Sequence, residues 1–252
     1  MAHIEVCGLR MQYGDKLIQE DVNFDVRAGR IFAIMGGSGC GKSTLLRHMV
    51  GLAEPAAGDV RIDGHGYWCA MNDAERRLTR RRYGMLFQSG ALWSTLSVRG
   101  NVHVPLDLHW ADRPQAEREA RVDEVLQWVG LAEQADAAVG GLSGGQIKRA
   151  GLARAIVAEP EVIFLDEPSA GLDPITSLRM DELILQLRDR TGAAVVLVSH
   201  ERDSLFKIAD DGIFLDAETK RPLAHGRPAD LQNDPNQPPL VQDFLQRKDR
   251  RT

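Results

Sequence analysis

The sequence predicts an α/β protein with a mostly parallel sheet as its core, a small antiparallel sheet at the N-terminus and an inserted helical lobe. Three observations predict this fold. Apolar and polar residues alternate through residues 4–26, three later apolar runs each end at a polar motif, and a stretch with helical spacing lies between the first and second of those runs. At 252 residues and 43% hydrophobic content, the chain can bury the core of one large domain with lobes.

The N-terminal residues alternate in the way that half-buried antiparallel strands do. Gly14-Asp15 and Ala28-Gly29 supply the expected turns, and residues 60–63 are expected to add another strand to the same small sheet. The apolar positions of the alternation are Ile4, Val6, Leu9, Val22, Phe24 and Val26.

The three apolar runs, residues 31–35, 162–165 and 194–198, are typical of strands buried on both faces. Helical segments separate them, which indicates a mostly parallel sheet. Ligands of such sheets gather outside the carboxyl ends of the strands, so the polar motifs that follow the runs are candidate binding residues.

Helical spacing predicts an inserted lobe over residues 99–160, with Val122, Val125 and Val129 on its core-facing side and Gly130 as a stop. No internal repeat is found, so one such domain is expected. Residues 232–252 are interpreted as a C-terminal tail that contains a turn, a short helix over 240–245 and a frayed basic end.

Charge and cysteine content exclude several classes of protein. The net charge of −5 does not indicate nucleic-acid binding through a basic surface, so an anionic partner would have to bind locally, and no apolar run reaches the length of a membrane span. The N-terminus lacks the layout of a signal peptide, so the chain is expected in the cytoplasm. Cys7, Cys40 and Cys69 are odd in number and lack metal-site spacing, which predicts free thiols.

A phosphate-binding loop is predicted where GGSGCGKST follows the first apolar run and precedes a helical run over residues 45–50. Glycines let successive backbone N–H groups surround phosphate oxygens at a helix N-terminus. Lys42 would place its charge on the β- and γ-phosphates, and Ser43 would offer its hydroxyl to Mg²⁺. The Cys40 thiol would either fill a small space or make the loop sensitive to thiol reagents. The candidate residues are Gly36, Gly37, Ser38, Gly39, Cys40, Gly41, Lys42, Ser43 and Thr44.

Two acidic residues end the second apolar run, in VIFLDEP at 162–168. Paired carboxylates at the tip of a buried strand are costly unless a metal or a hydrogen-bond network uses them. Asp166 is therefore predicted to act on Mg²⁺ through a water or through another ligand of the ion, and Glu167 is predicted to polarise an attacking water. A chance helix cap at Asp166 is the alternative interpretation.

The motif LSGGQ at 142–146 has two possible interpretations. Ser143 with Gln146 forms an ordinary capping box, yet Gly144 and Gly145 each cost roughly 1 kcal/mol in a helix. A requirement for bare backbone would explain them, and a docking γ-phosphate would supply that requirement.

Together these motifs resemble the ATP-binding subunits of ABC transporters over residues 3–231. The resemblance implies a P-loop ABC nucleotide-binding domain with a RecA-like core, ATP and Mg²⁺ as cofactors, and a homodimer that forms on ATP binding. Glu167 and His200 would then be catalytic, and Mg²⁺ would be met by Ser43, Gln88 and Asp166. Tyr13 would stack on adenine, Gln88 would also face a membrane permease, His200 would contact the γ-phosphate, and Asp173 would link the two nucleotide sites.

Residues 86–106 and 164–176 are similar to a narrower group, the Mla or MCE class of ABC ATPases, which moves phospholipid between membranes. That likeness implies permease, MCE-domain and STAS-domain partners at the cytoplasmic side of the inner membrane. Trp93 and Gln146 depart from the pattern of that class. The alternative is another transporter, such as a lipoprotein-release or small-solute system. Soluble ABC ATPases of translation or DNA repair are disfavoured because they usually carry two ATPase domains or a long coiled coil.

Overall fold

The computed structural model describes residues 3–246, which form two β-sheets and the helices packed on them. The strands are β1 (Ile4–Tyr13), β2 (Lys16–Val26), β3 (Ile31–Gly36), β4 (Ala57–Ile62), β5 (His65–Gly66), β6 (Tyr83–Leu86), β7 (Val162–Asp166), β8 (Ala194–Val198), β9 (Asp211–Leu215) and β10 (Pro222–His225). The helices are α1 (Lys42–Met49), α2 (Asp73–Arg80), α3 (Val98–His109), α4 (Gln115–Trp128), α5 (Gly144–Ile156), α6 (Pro174–Thr191), α7 (Arg202–Ile208), α8 (Pro228–Asn233) and α9 (Pro239–Gln246).

The smaller sheet is antiparallel, with strand order β2-β1-β4-β5, and it confirms the N-terminal prediction. Its first hairpin turns between Tyr13 and Lys16, through the predicted Gly14-Asp15 pair. The strand predicted at residues 60–63 begins earlier, because Ala57 already pairs with Arg10 of β1.

The larger sheet has the order β10-β9-β3-β8-β7-β6 and is parallel except for the edge strand β10. The three predicted apolar runs are β3, β7 and β8, and β8 lies between the other two. Their carboxyl ends are therefore adjacent. Strands β6 and β9 have no counterpart among the predicted elements, because each is short and contains a glycine that interrupts the apolar pattern.

Each face of the parallel sheet supports a separate apolar core, because successive side chains of a strand point to opposite faces. Ile31, Ala33 and Met35 of β3 pack with the helical lobe and α6, whereas Phe32 and Ile34 pack with α1 and the antiparallel sheet. Burial on both faces explains why these strands are continuously apolar.

Helices α3, α4 and α5 lie at the position of the predicted helical lobe, whose bounds of 99–160 stay a prediction. Val122, Val125 and Leu126 are completely buried, as the helical spacing indicated. Helix α5 begins at Gly144, directly after its N-cap residue Ser143.

The predicted short helix near the C-terminus is α9, and its Val241 and Leu245 are buried in the same core as the lobe. The frayed basic end lies outside the described residues, and the domain boundary at residue 231 stays a prediction. Within residues 3–246, no helix is long and apolar enough to cross a membrane.

Candidate active site

The loop between β3 and α1 has the backbone conformation that its glycines predict. Gly36, Gly39 and Gly41 all have positive φ angles, of 140°, 75° and 104°. A Cβ on Gly36 would lie 2.4 Å from the carbonyl oxygen of Leu215, so only glycine fits there. Gly37, Ser38 and Gly39 are exposed at the crest of the loop, where a ligand can reach their N–H groups.

Lys42, the first residue of α1, reaches back over this loop. Its Nζ donates hydrogen bonds to the carbonyl oxygens of Gly36 at 2.8 Å and Gly37 at 3.0 Å. Thr44, the third residue of α1, is half-buried. Cys40 is 1% exposed, and burial raises the pKa of its thiol, which favours the packing interpretation over the reactive one.

Asp166, at the carboxyl end of β7, contacts the loop through Ser43, whose Oγ lies 3.4 Å from Oδ1 of the carboxyl group. Burial and the neighbouring charge of Glu167 raise the pKa of Asp166, and the Ser43 hydroxyl opposes that shift. The sheet order produces this contact, since only β8 separates β7 from β3.

Glu167 follows β7 in a strained backbone conformation. Its φ angle is 52°, in the left-handed region that glutamate seldom adopts, and its N–H donates to the carbonyl of Val198 at 2.9 Å. The side chain is buried, and Oε2 lies 2.8 Å from Nδ1 of His200. The two residues predicted to be catalytic are therefore in contact.

Lys148 was missed by the sequence reasoning. Its buried ammonium donates to the carbonyl of Glu167 at 2.7 Å and also to the carbonyl of Gln88. Burial lowers the pKa of Lys148, against the opposing charges of Glu167 and Asp166. Helical periodicity could have indicated that Lys148 is buried, because it shares one face of α5 with the buried Leu152 and Ile156.

The LSGGQ motif at residues 142–146, called the signature segment below, forms the capping box that its spacing predicts. Ser143 Oγ accepts from the N–H of Gln146 at 3.3 Å, and Oε1 of Gln146 accepts from the N–H of Ser143 at 2.8 Å. Gly145 also has a packing reason, because a Cβ there would lie 2.8 Å from Cγ2 of Thr176. No comparable contact explains Gly144, whose Cβ position lies 4.0 Å from its nearest neighbour.

Asp173 caps α6, and its carboxylate accepts from the N–H groups of Ile175 and Thr176 at 3.1 Å each. It lines a cavity of about 510 Å³ together with Ser143, Gly144 and Gly145. The signature segment thus shares a surface with Asp173, whereas Lys42 and Asp166 lie at the carboxyl ends of the parallel strands. Tyr13 is 50% exposed at the end of β1, and Gln88 joins the site through its main chain.

The predicted Mg²⁺ ligands fit a magnesium ion that shares its coordination with a substrate. No group of three or more His, Cys, Asp or Glu side chains within residues 3–246 is arranged to hold a metal. Mg²⁺ usually takes one or two carboxylates and completes its shell with phosphate and water oxygens. Ser43 and Asp166, already adjacent, match that requirement, and Gln88 stays a predicted third ligand.

Comparison with known proteins places this site in a family. Residues 19–170 match the family described as ABC transporter. The methionine import ATP-binding protein MetN of Caulobacter vibrioides is 43% identical over 78% of this chain, and MetN 2 of Yersinia pestis is 38% identical over 86%. The chain spans 58% and 64% of the lengths of these relatives.

Solved structures agree in fold. CbiO1 of Clostridium perfringens, part of the ABC transporter complex CbiONQ, has a TM-score of 0.83 at 28% identity and covers 92% of this chain and 90% of its own. A dimeric ATP-binding cassette, MJ0796 bound to ADP and Pi, has a TM-score of 0.79 at 28% identity and covers 89% of this chain and 98% of its own.

These matches confirm the predicted P-loop ABC ATPase fold, with its antiparallel sheet, parallel core and helices. The curated relatives do not support the narrower Mla or MCE likeness, because they are named for methionine import. Since the family match covers more than half of the chain, this protein belongs to the ABC transporter family and carries its ATPase domain.

Proposed function

We propose that this chain is the ATP-hydrolysing subunit of an ABC transporter for a small solute, with methionine as the first candidate cargo. Methionine is proposed as the cargo because the curated relatives, which reach 43% identity over 78% of this chain, are named methionine import ATP-binding proteins. A small-solute system was the alternative in the sequence interpretation, and the relatives favour it over phospholipid. The chain would lie at the cytoplasmic side of the membrane, held there by its permease.

In this proposal, the β3–α1 loop binds the phosphates of ATP. The N–H groups at its crest donate to the phosphate oxygens, and Lys42 turns from the carbonyls of Gly36 and Gly37 towards the β- and γ-phosphates. Mg²⁺, when bound, neutralises charge on the phosphates as they separate. Ser43 and Asp166 would hold the ion, Asp166 through a water or another ligand, and the exposed ring of Tyr13 would stack on adenine.

Hydrolysis then depends on Glu167 and His200. Glu167 accepts a proton from the attacking water, and His200 orients the Glu167 carboxylate through the 2.8 Å contact and reaches the γ-phosphate. The buried position of Glu167 keeps its carboxylate in one place. Such positioning is a large part of catalysis in phosphoryl transfer.

The working unit in this proposal is a homodimer that forms when ATP binds. Ser143 and Gly144 line a cavity with Asp173, and Lys42 is not part of that lining, so the signature segment of one subunit would complete the phosphate site of the other, and Asp173 would link the two sites. The dimeric state of the MJ0796 cassette supports this arrangement. Hydrolysis would release the dimer and move the permease.

Phospholipid is the second candidate cargo, and its support is the likeness of residues 86–106 and 164–176 to the Mla or MCE class. The segment that resembles the Mla or MCE class, residues 86–106, supplies Phe87, Trp93 and Pro105 to an open groove of about 390 Å³. The groove lies beside residues 87–91, called the Gln88 loop below, which are predicted to face the permease. The shape of the groove therefore bears on which permease this chain binds. MCE-domain and STAS-domain partners belong to this candidate alone.

The deciding experiment is to purify the chain from native membranes with its bound permease, identify the partners by mass spectrometry and reconstitute the complex in vesicles. We expect ATP-dependent methionine uptake, with the Glu167→Gln complex as the inactive control. ATP-dependent transfer of labelled phospholipid without methionine uptake would overturn the cargo proposal and favour the second candidate. Recovery without any permease would overturn the transport proposal itself.

A further inference from the structure

Lys148 is a buried cation whose hydrogen bonds go to main-chain carbonyls. The residue is 6% exposed, and its Nζ donates to Glu167 O at 2.7 Å and to Gln88 O. Burying an ammonium group is costly, so its position requires strong compensation from fixed acceptors. The two carbonyls belong to segments that are 79 residues apart and meet only through the fold.

The Gln88 loop is held to α5 by further contacts. Arg154 of the same helix donates to the carbonyls of Gly90 at 2.9 Å and Ala91 at 2.6 Å. Gly90 has a φ of 75°, and a Cβ there would lie 2.8 Å from Cγ2 of Ile147, so the loop and helix backbones approach closely. The loop is therefore fixed to α5 by side-chain hydrogen bonds as well as by close packing.

Glu167 follows β7 of the parallel sheet, whose neighbouring strand β6 leads into the Gln88 loop. Its N–H is bonded to Val198 of β8, while its carbonyl is bonded to Lys148 of α5. The left-handed backbone conformation of Glu167 needs support from its surroundings. Lys148 supplies that support from the helix that begins with the signature segment.

We infer that Lys148 is a positioning residue that ties α5 and the Gln88 loop to the backbone of Glu167. A displacement of the helical lobe then changes the position of the Glu167 carboxylate, so hydrolysis depends on the placement of the lobe. This inference rests on the proposed role of Glu167 as the base. The positioning role depends on the hydrogen bonds that the Lys148 ammonium group donates, so a side chain at this position must supply N–H donors.

Three variants of the full chain separate donors from charge. Lys148→Met keeps the length and removes all donors, Lys148→Gln keeps two N–H donors without charge, and Lys207→Met makes the same lysine replacement on α7, where the ammonium pairs with Glu182. Circular dichroism melting establishes that each variant is folded. ATP turnover is measured as kcat and KM, and amide hydrogen exchange is measured without nucleotide.

For Lys148→Met we expect kcat to fall by about 100-fold while KM for ATP changes by less than about 3-fold, because the Lys148 bonds go to the carbonyls of Gln88 and Glu167 and not to the phosphate loop. We expect the amides of Glu167 and Gly90 to exchange at least about 10-fold faster, and those of β3 to stay unchanged. Lys148→Gln should recover kcat to within about 10-fold of wild type. Lys207→Met should match wild type in both measurements.

Unchanged kcat and exchange in Lys148→Met, with Glu167→Gln inactive, would overturn the inference and leave the proposed base intact. Turnover by Glu167→Gln would instead overturn the proposed base. A folded Lys148→Gln as inactive as Lys148→Met would also overturn the inference, since donors would then not suffice. If Lys148→Met does not fold, the kcat of Lys148→Gln decides, with a loss beyond about 100-fold counting against the inference.

Discussion

Glu167 combines three constraints in one residue. Its backbone is left-handed at φ 52°, its carboxylate is buried, and His200 lies 2.8 Å away. Strained backbone of this kind costs roughly 1 to 3 kcal/mol and persists where surrounding contacts support it. The residue before it, Asp166, has no positive φ angle, which separates the two neighbouring carboxylates in conformation as well as in predicted role.

The first prediction concerns the carboxylate itself. Glu167→Gln keeps the shape and removes the proton acceptor, so we expect turnover to fall by about 10² to 10⁴ while ATP affinity stays within about 3-fold. Steady-state ATPase assays and fluorescent-nucleotide binding measure the two quantities. Hydrolysis near the wild-type rate would contradict the base assignment.

The second prediction concerns the phosphate loop. Gly36→Ala forces a Cβ to 2.4 Å from the carbonyl of Leu215, so we expect the loop to shift and ATP affinity to drop by at least about 10-fold. Gly140→Ala is the control, because Gly140 lies outside the phosphate loop and its Cβ meets no atom within 4 Å. Calorimetric ATP titration of both variants tests this, and equal affinities would show that the close contact is dispensable.

At the scale of elements, α5 connects the capping box to the site. Its first turn carries Gly144, which has neither a positive φ nor a close neighbour to explain it. Alanine would be compatible with the local structure and better for the helix. The glycine therefore indicates a requirement that lies outside this chain's own packing.

The third prediction uses this property. Gly144→Ala should raise the free energy of unfolding by about 0.5 kcal/mol and lower kcat by at least about 10-fold, because the Cβ blocks a phosphate from the helix N-terminus. Urea unfolding and ATPase assays report the two effects. Gly140→Ala, open and outside α5, is the control. Higher stability with normal turnover would leave the capping box as a sufficient explanation.

The fourth prediction concerns how β6 is held beside β7. Arg82, just before β6, donates from Nε and Nη2 to the carboxylate of Glu161 at 2.7 and 3.0 Å, and this lowers the pKa of Glu161 below 4.5. Because the folded-state pKa is depressed, the stabilisation is present above pH 4.5 and is lost as pH falls through the folded-state pKa.

Glu161→Gln should therefore lower the free energy of unfolding at pH 7 by about 0.5 to 1 kcal/mol, a modest value because the pair is partly exposed. The difference from wild type should shrink as pH falls below 4.5. Urea unfolding at several pH values measures it, with the exposed Glu133→Gln as control. A pH-independent difference would assign the effect to something other than the ion pair.

At the scale of the whole molecule, the C-terminal helix belongs to the central core. Leu245 and Val241 of α9 are completely buried, and Phe244 makes an edge contact with Phe214 of β9 at 5.2 Å between ring centroids. The helix also packs on α8. Residues beyond the predicted boundary at 231 thus contribute to the stability of the ATPase fold.

The fifth prediction tests that contribution. Leu245→Ala should lower the free energy of unfolding by about 2 to 5 kcal/mol, because it leaves a cavity in a packed core. Leu240→Ala on the same helix, at a side chain that is 48% exposed, should cost less than about 0.5 kcal/mol. Denaturant titration compares them. Similar small losses would mean that α9 is a separable tail.

The sequence by itself determined the local features of this protein. The β3–α1 loop, the acidic end of β7 and the capping box of α5 all lie where their motifs predict, because each depends on the properties of residues close together in the chain. Continuous apolar runs likewise revealed β3, β7 and β8. The sequence predicted that Glu167 and His200 belong to one catalytic site, but not that the two side chains are in contact.

The tertiary structure alone decided the contacts that join distant segments. The bonds of Lys148 to Gln88 and Glu167, the places of β6 and β9 in the sheet, and the burial of α9 depend on which elements become neighbours. A hydrogen bond or an apolar contact is a matter of distances of a few ångströms, and residue type restricts its partners without choosing them. The packing of the elements determines which groups become neighbours. For Lys148 these are two backbone carbonyls, which every residue type has and which no sequence pattern can identify.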